Sequence, residues 1–137
     1  MHFPELLTGA ALVTLGASVG TPARFFVSGF VARRIGETFP WNTLVINVSG
    51  CLLMGIGAAY ARVHGLSGNS HFWLLFATGF LGSYTTVSSF ALQALALARD
   101  GESRLALGYI ALSVVLCLGA VFAGSATAAI ILAAAGS

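Results

Sequence analysis

The stretch Gly79–Gln93, GFLGSYTTVSSFALQ, lies inside an uncharged run of 27 residues, Phe72–Ala98. Roughly 20 apolar residues cross a hydrocarbon core of about 30 Å, so this run is long enough to span a membrane. Its centre does not read as an ordinary membrane helix, because Gly79, Gly82 and Ser83 lead into Tyr84, Thr85, Thr86, Val87, Ser88 and Ser89. The expectation is a helix broken at mid-membrane. An unpaired amide or carbonyl facing lipid costs several kcal/mol, so irregular backbone at that depth must be buried in protein or line a water-filled path. The stretch is therefore the candidate ion site.

Composition agrees with a membrane setting. Hydrophobic residues make up 58% of the chain and charged residues 7%, and mean hydropathy is +0.95. The six basic residues are all arginine, at 24, 33, 34, 62, 99 and 104, and the four acidic ones are Glu5, Glu37, Asp100 and Glu102. With no lysine there is no phosphate-binding P-loop, which excludes an ATP-driven pump of that type. A scattered net charge of +2 gives no footprint for nucleic acid.

Four long runs emerge, about 6–32, 43–61, 72–98 and 105–134, predicting four membrane spans in one domain over residues 1–137. The amino terminus, MHFPE, lacks the basic region of a cleavable signal, so the first run is expected to stay as a span. Arg33, Arg34, Glu37, Phe39 and Pro40 close the first run. Arg62–Ser70, containing Ser67 and Asn69, separates the second from the third, and Arg99–Arg104 separates the third from the fourth. Phe39, Trp41, Phe72 and Trp73 fall where aromatic side chains sit at a membrane interface. His2, His64 and His71 lie near ends and loops without ligand spacing.

Each run carries a stripe. In the first, Gly16 and Gly20 precede Arg24 on one face, which is either a vestibule charge or an arginine snorkelling to headgroups. The second places Asn47, Cys51, Gly55 and Ala59 at spacings of four. Asn47 is interhelical glue or an amide donor to a passing anion, and spacing alone favours glue. After the break come Thr86, Ser89 and Gln93, with Val87 and Phe90 on an adjacent face. The fourth run aligns Tyr109, Ser113 and Cys117, either as a donor track or as an interfacial tyrosine with a serine bonded to its own helix. Cys51 and Cys117 read as small buried residues rather than a disulfide or metal pair.

Taken together, the interior offers hydroxyls, an amide, a thiol and the positive edges of aromatic rings, which are groups that solvate anions. It offers no embedded carboxylate, so a proton-coupled antiporter lacks its carrier. Exposed carbonyls at a break could hold a cation beside an anion path.

These residues resemble the Fluc (CrcB-type) fluoride channel family over nearly the whole chain. Gly16, Gly20, Thr21, Arg24 and Phe25 resemble its G-x-x-x-G-A/T-x-x-R-Y/F signature. Phe39-Pro40-Trp41-Asn42-Thr43-Leu44-Val45-Ile46-Asn47-Val48-Ser49-Gly50 resembles F-P-W-G-T-L-x-V-N-x-x-G, and the third run resembles G-F-x-G-G-x-T-T-F-S-T-F-S-x-E. The resemblance implies an all-α integral membrane protein of four transmembrane helices, forming an antiparallel, dual-topology dimer in a cell inner or plasma membrane. It implies passive fluoride export and a structural sodium ion at the dimer interface, held by the backbone carbonyls of Gly82 and Thr85. Asn47, Val87, Phe90, Thr86, Ser89, Tyr109, Ser113 and Cys117 would then line the fluoride pore, with Arg24 in the vestibule. The implied partners are fluoride, the lipid bilayer and a second copy in opposite orientation.

The chain departs from the family pattern at several positions. Asn42 and Ser83 replace glycines, Ala91 and Gln93 stand where serine and glutamate are common, and Cys117 replaces a hydroxyl residue. Val87 occupies the first of two phenylalanine positions and has no ring edge, which admits a heterodimer whose partner supplies the ring. Two other classes remain open. A small multidrug-type exporter requires a carboxylate in its first span, and the first run has none; a structural membrane subunit requires no polar break.

Overall fold

The computed structural model describes residues 3–36, 38–66, 68 and 70–135. His2, Glu37, Ser67 and Asn69 lie outside the described residues. Three long helices carry the chain: α1 (Phe3–Ile35), α2 (Trp41–Val63) and α5 (Ser103–Ala135). All three are long and apolar enough to cross a membrane. They run slightly past the apolar limits 6–32, 43–61 and 105–134, because Arg33, Arg62 and Arg104 end the apolar pattern but are good helix formers.

The run expected at 72–98 is divided in two. Helix α3 joins a π-wound piece, Trp73–Leu81, to a single α-turn, Gly82–Tyr84, and α4 covers Val87–Arg99. The interruption is confined to Thr85 and Thr86, whose backbones are extended at φ −78°, ψ 166° and φ −153°, ψ 118°. The sequence suggested that glycines and Ser83 would begin the break, but Gly79, Gly82 and Ser83 are all helical. Those small residues serve packing instead. A Cβ at Gly16 would collide with the carbonyl of Leu75, and one at Gly20 with the carbonyl of Phe80 and the hydroxyl of Ser83. A Cβ on Gly79 would stand 2.6 Å from the Val13 carbonyl. The backbones of α1 and α3 thus touch, as small residues allow in membranes. The wider π turn also aligns every fourth ring, so Phe72, Phe76, Phe80 and Tyr84 stack in sequence at 5.3, 6.3 and 5.8 Å.

Helix directions follow from the contacts. Gly9 meets Leu74 and Gly20 meets Phe80, so α1 and α3 run parallel. Leu44 meets Tyr109, and Gly55 and Leu52 meet Val121 and Gly124, so α2 and α5 run parallel as well. At an offset of 66 residues this register sets Asn47 opposite Ser113, Cys51 opposite Cys117 and Gly55 opposite Val121. The stripe of small and polar residues on α2 therefore faces the stripe on α5. Where the helices end, glycines at positive φ turn the chain, Gly36 at 89° and Gly101 at 86°. Phe39, Trp41, Phe90 and Leu97 pack around Leu44, Ala94 and Tyr109.

Candidate functional site

Two extended residues inside a helical bundle leave backbone groups that need partners, and the side chains of α1 and α2 supply them. Asn47 clamps Thr86 from both sides: its Nδ2 donates to the Thr86 carbonyl at 2.9 Å, and its Oδ1 accepts from the Thr86 amide at 2.8 Å. That amide would have reached the Gly82 carbonyl had the helix continued. Arg24 Nη1 donates to the Thr85 carbonyl at 3.3 Å. The sequence left Arg24 between a vestibule and the headgroups; the structure puts it against the break, because the Gly16 and Gly20 contacts hold α1 tightly to α3. Thr86 caps α4, its Oγ1 accepting from the Ser89 amide at 3.2 Å. Tyr84 and Ser49 share a hydrogen bond of 2.8 Å, and Gly50 leaves room for the Thr85 methyl group.

The break separates two hollows of different character. On one side Asn47, Cys51, Thr85, Thr86, Val87, Phe90, Ser113, Val114 and Cys117 line a mainly apolar groove of about 260 Å³. Ser113 is 6% exposed there, and its Oγ meets no hydrogen-bond partner among the described residues. A serine in a helix usually bonds back to its own carbonyl, so this orphaned donor is chemically notable. Phe90 stands beside it. Val87 is 78% exposed at the rim, so the two residues share the groove but not the same depth.

On the other side Arg24, Ser28, Asn42, Thr43, Thr86, Ser89 and Gln93 join Phe25, Ala32 and Ile46 around a more polar hollow of about 490 Å³. Ser89 belongs to this side, away from Phe90. Tyr109 belongs to neither hollow. It is fully buried, edge-on to Phe39 at 5.4 Å, and its hydroxyl donates to Gln93 Oε1 at 3.1 Å. Of the expected track on α5, Ser113 and Cys117 reach the groove and Tyr109 is committed to α4.

Gly82 and Thr85 edge a third concavity of about 200 Å³, with Gly50, Met54, Ala77 and Val121. Neutral carbonyl oxygens suit a hard monovalent cation, and a carbonyl has two lone pairs, so Arg24 leaves one on Thr85 free. The carbonyls of Gly82 and Thr85 are oxygens of that kind, and two are too few for a full shell.

Sequence reasoning missed the supporting residues. Ser49 and Tyr84 bond to each other across helices, a pairing that no spacing within one helix reveals. Asn42, in sequence only a departure from the family pattern, links α1 and α2 by donating from Nδ2 to Ser28 Oγ at 3.1 Å.

The sequence matches the family described as CrcB-like protein, Camphor Resistance (CrcB), over residues 11–125. A protein of Rhodopseudomonas palustris (strain BisB18) named Fluoride-specific ion channel FluC 2 is 55% identical over 128 residues, covering 93% of this chain and 98% of its own. One of the same name from Bradyrhizobium diazoefficiens is 53% identical over 120 residues, with coverages of 87% and 88%. In Opitutus terrae, a Fluoride-specific ion channel FluC is 47% identical over 116 residues, with coverages of 82% and 86%.

Proposed function

The chain belongs to the CrcB family, a multi-pass membrane protein rather than an enzyme, and we propose that it is a passive, fluoride-selective channel whose route runs through the groove between α2, α4 and α5. One observation carries the reading: a buried Ser113 hydroxyl without a partner among the described residues, in a groove edged by Phe90, Cys117 and Asn47. A dehydrating anion needs donors, and these supply them in graded strength. Ser113 offers an O–H, Cys117 a weaker S–H, and Phe90 the positive edge of its ring. Asn47 spends one N–H on Thr86 and keeps a second. Arg24 and the polar hollow gather anions on the other side of the break.

Four crossings follow if α3 and α4 together make the third. The dimer is read as antiparallel, with both copies inserted in opposite senses. Arg33, Arg34, Arg99 and Arg104 fall on one side and Arg62 on the other, a bias small enough for either orientation. In such a dimer the carbonyls of Gly82 and Thr85 from both copies would hold the sodium ion, which supplies positive charge that fixes the two breaks together. Export of fluoride to limit its cytoplasmic level is the physiological sense of a passive route.

A second reading rests on Val87, exposed at the rim where a ring is expected: the partner is then a homologous subunit that brings a phenylalanine. The multidrug-type exporter has no support from the family match. Purified protein in liposomes loaded with potassium fluoride tests the main reading. Fluoride should leave down its gradient while chloride stays; equal chloride release rejects selectivity. Accessibility of a carboxyl-terminal tag on intact cells should show both orientations, and a single orientation favours the heterodimer.

A further inference from the structure

Cys51 is the one chemically reactive residue of the groove that the conduction route leaves without a role. It faces Cys117 across parallel helices in register, and both thiols are free, half-buried and part of the same groove wall. One turn further along, Gly55 meets the Val121 carbonyl and Gly124 the Leu52 carbonyl, contacts that a Cβ would forbid. The helices are therefore held close beside the two sulfurs, which line one wall of the groove. We propose that Cys51 and Cys117 form a two-sulfur site for a soft divalent cation of the Hg2+ class.

Donor number and polarity select that class. Among the described residues no cluster of three or more His, Cys, Asp or Glu side chains is available to a metal, so a four-coordinate ion such as Zn2+ is not served. Thiolates prefer soft ions, and a linear ion is satisfied by two. The walls beside the sulfurs include Val87, Phe90 and Val114. A divalent ion on two thiolates is electrically neutral, so it sits among apolar walls without the cost of a buried charge. On binding from mercuric chloride, two S–H bonds and two Hg–Cl bonds break, two S–Hg bonds form, and the chlorides leave to water. Two protons leave to water and no electrons are transferred.

Full-length protein in detergent, given one equivalent of mercuric chloride, tests the site by intact mass. The expected product is one mercury per chain with loss of two protons. Joining the second sulfur is intramolecular, which raises retention about 10²- to 10⁴-fold over a single thiol. Excess mercaptoethanol should therefore strip mercury from Cys51→Ser and Cys117→Ser but not from the parent; should serine at 51 prevent assembly, Cys51→Ala gives the same comparison. Two mercury ions per chain, or serine variants that retain mercury as the parent does, overturn the proposal. The effect on transport rests on the route proposed above, because Cys117 lies one turn from Ser113. Mercury should then stop fluoride efflux. A bridged ion without loss of efflux leaves the site standing and removes the groove as the route.

Discussion

Replacing Ser113 by alanine removes one oxygen atom and separates a structural role from a conducting one. Ser113 is 6% exposed and its buried hydroxyl has no partner among the described residues. Leaving such a group unmet costs about 1–3 kcal/mol, so its removal should leave the fold as stable as the parent or stabilise it by up to about 2 kcal/mol. A passing fluoride, in contrast, loses a hydrogen bond to a charged partner, worth roughly 1.5–3 kcal/mol. If that bond is made at the highest barrier, efflux falls about 10- to 150-fold, at a tenfold change for each 1.36 kcal/mol or so. Efflux is read with a fluoride electrode on liposomes, and stability by chemical unfolding in detergent, followed through Trp41 and Trp73. Loss of more than about 1 kcal/mol of stability on Ser113→Ala would mean that the hydroxyl holds the fold together, since a bonded hydroxyl contributes about that much. Unchanged efflux would mean that the anion never touches it.

Phe90→Ile keeps bulk against Tyr109 but removes the polarised ring edge, so the variant should assemble and lose most fluoride efflux; efflux like the parent's withdraws the route. Val87→Phe adds a ring at a rim where little of its own chain packs against it, and should create an additional fluoride position in a structure determined with fluoride. Asn47→Leu strips both bonds from the buried Thr86 backbone. Membrane hydrogen bonds average about 0.6 kcal/mol each, while orphaned buried backbone groups cost about 1–3 each, so with two groups orphaned unfolding should show a loss of about 2–6 kcal/mol. Gly16→Val drives a side chain into the backbone of α3 and should prevent folded protein from eluting as one species in gel filtration, whereas Gly108→Ala, which faces open space, should elute like the parent.

The long apolar runs and the polar interruption were legible because they depend on local composition: any chain with these runs must bury them, and no run of Tyr, Thr and Ser sits comfortably in lipid. The exact seat of the interruption was not legible. Gly79 and Gly82 look like breakers in sequence, but in a membrane bundle glycine is a packing residue, and contact with Val13 and Gly16 keeps Gly79 helical. What breaks the helix at Thr85 and Thr86 is tertiary, the carboxamide of Asn47 and the guanidinium of Arg24 arriving from other helices. For the same reason Tyr109 could not be told from its stripe-mates. Its spacing matches Ser113 and Cys117, yet Gln93 and Phe39, both distant in sequence, bury it.

The two readings of Asn47 also merge once its bonds are counted. A side-chain amide has two N–H groups and one carbonyl, and the clamp on Thr86 uses one of each. Gluing the helices is therefore what aims the remaining N–H, since the clamp fixes the plane of the amide. The same holds for the break as a whole: satisfying Thr85 and Thr86 from α1 and α2 divides the interior into a polar hollow and a drier groove. Thr86 lines both. A change that loosens this clamp should thus alter stability and conduction together, whereas Ser113, which holds nothing, should alter conduction alone.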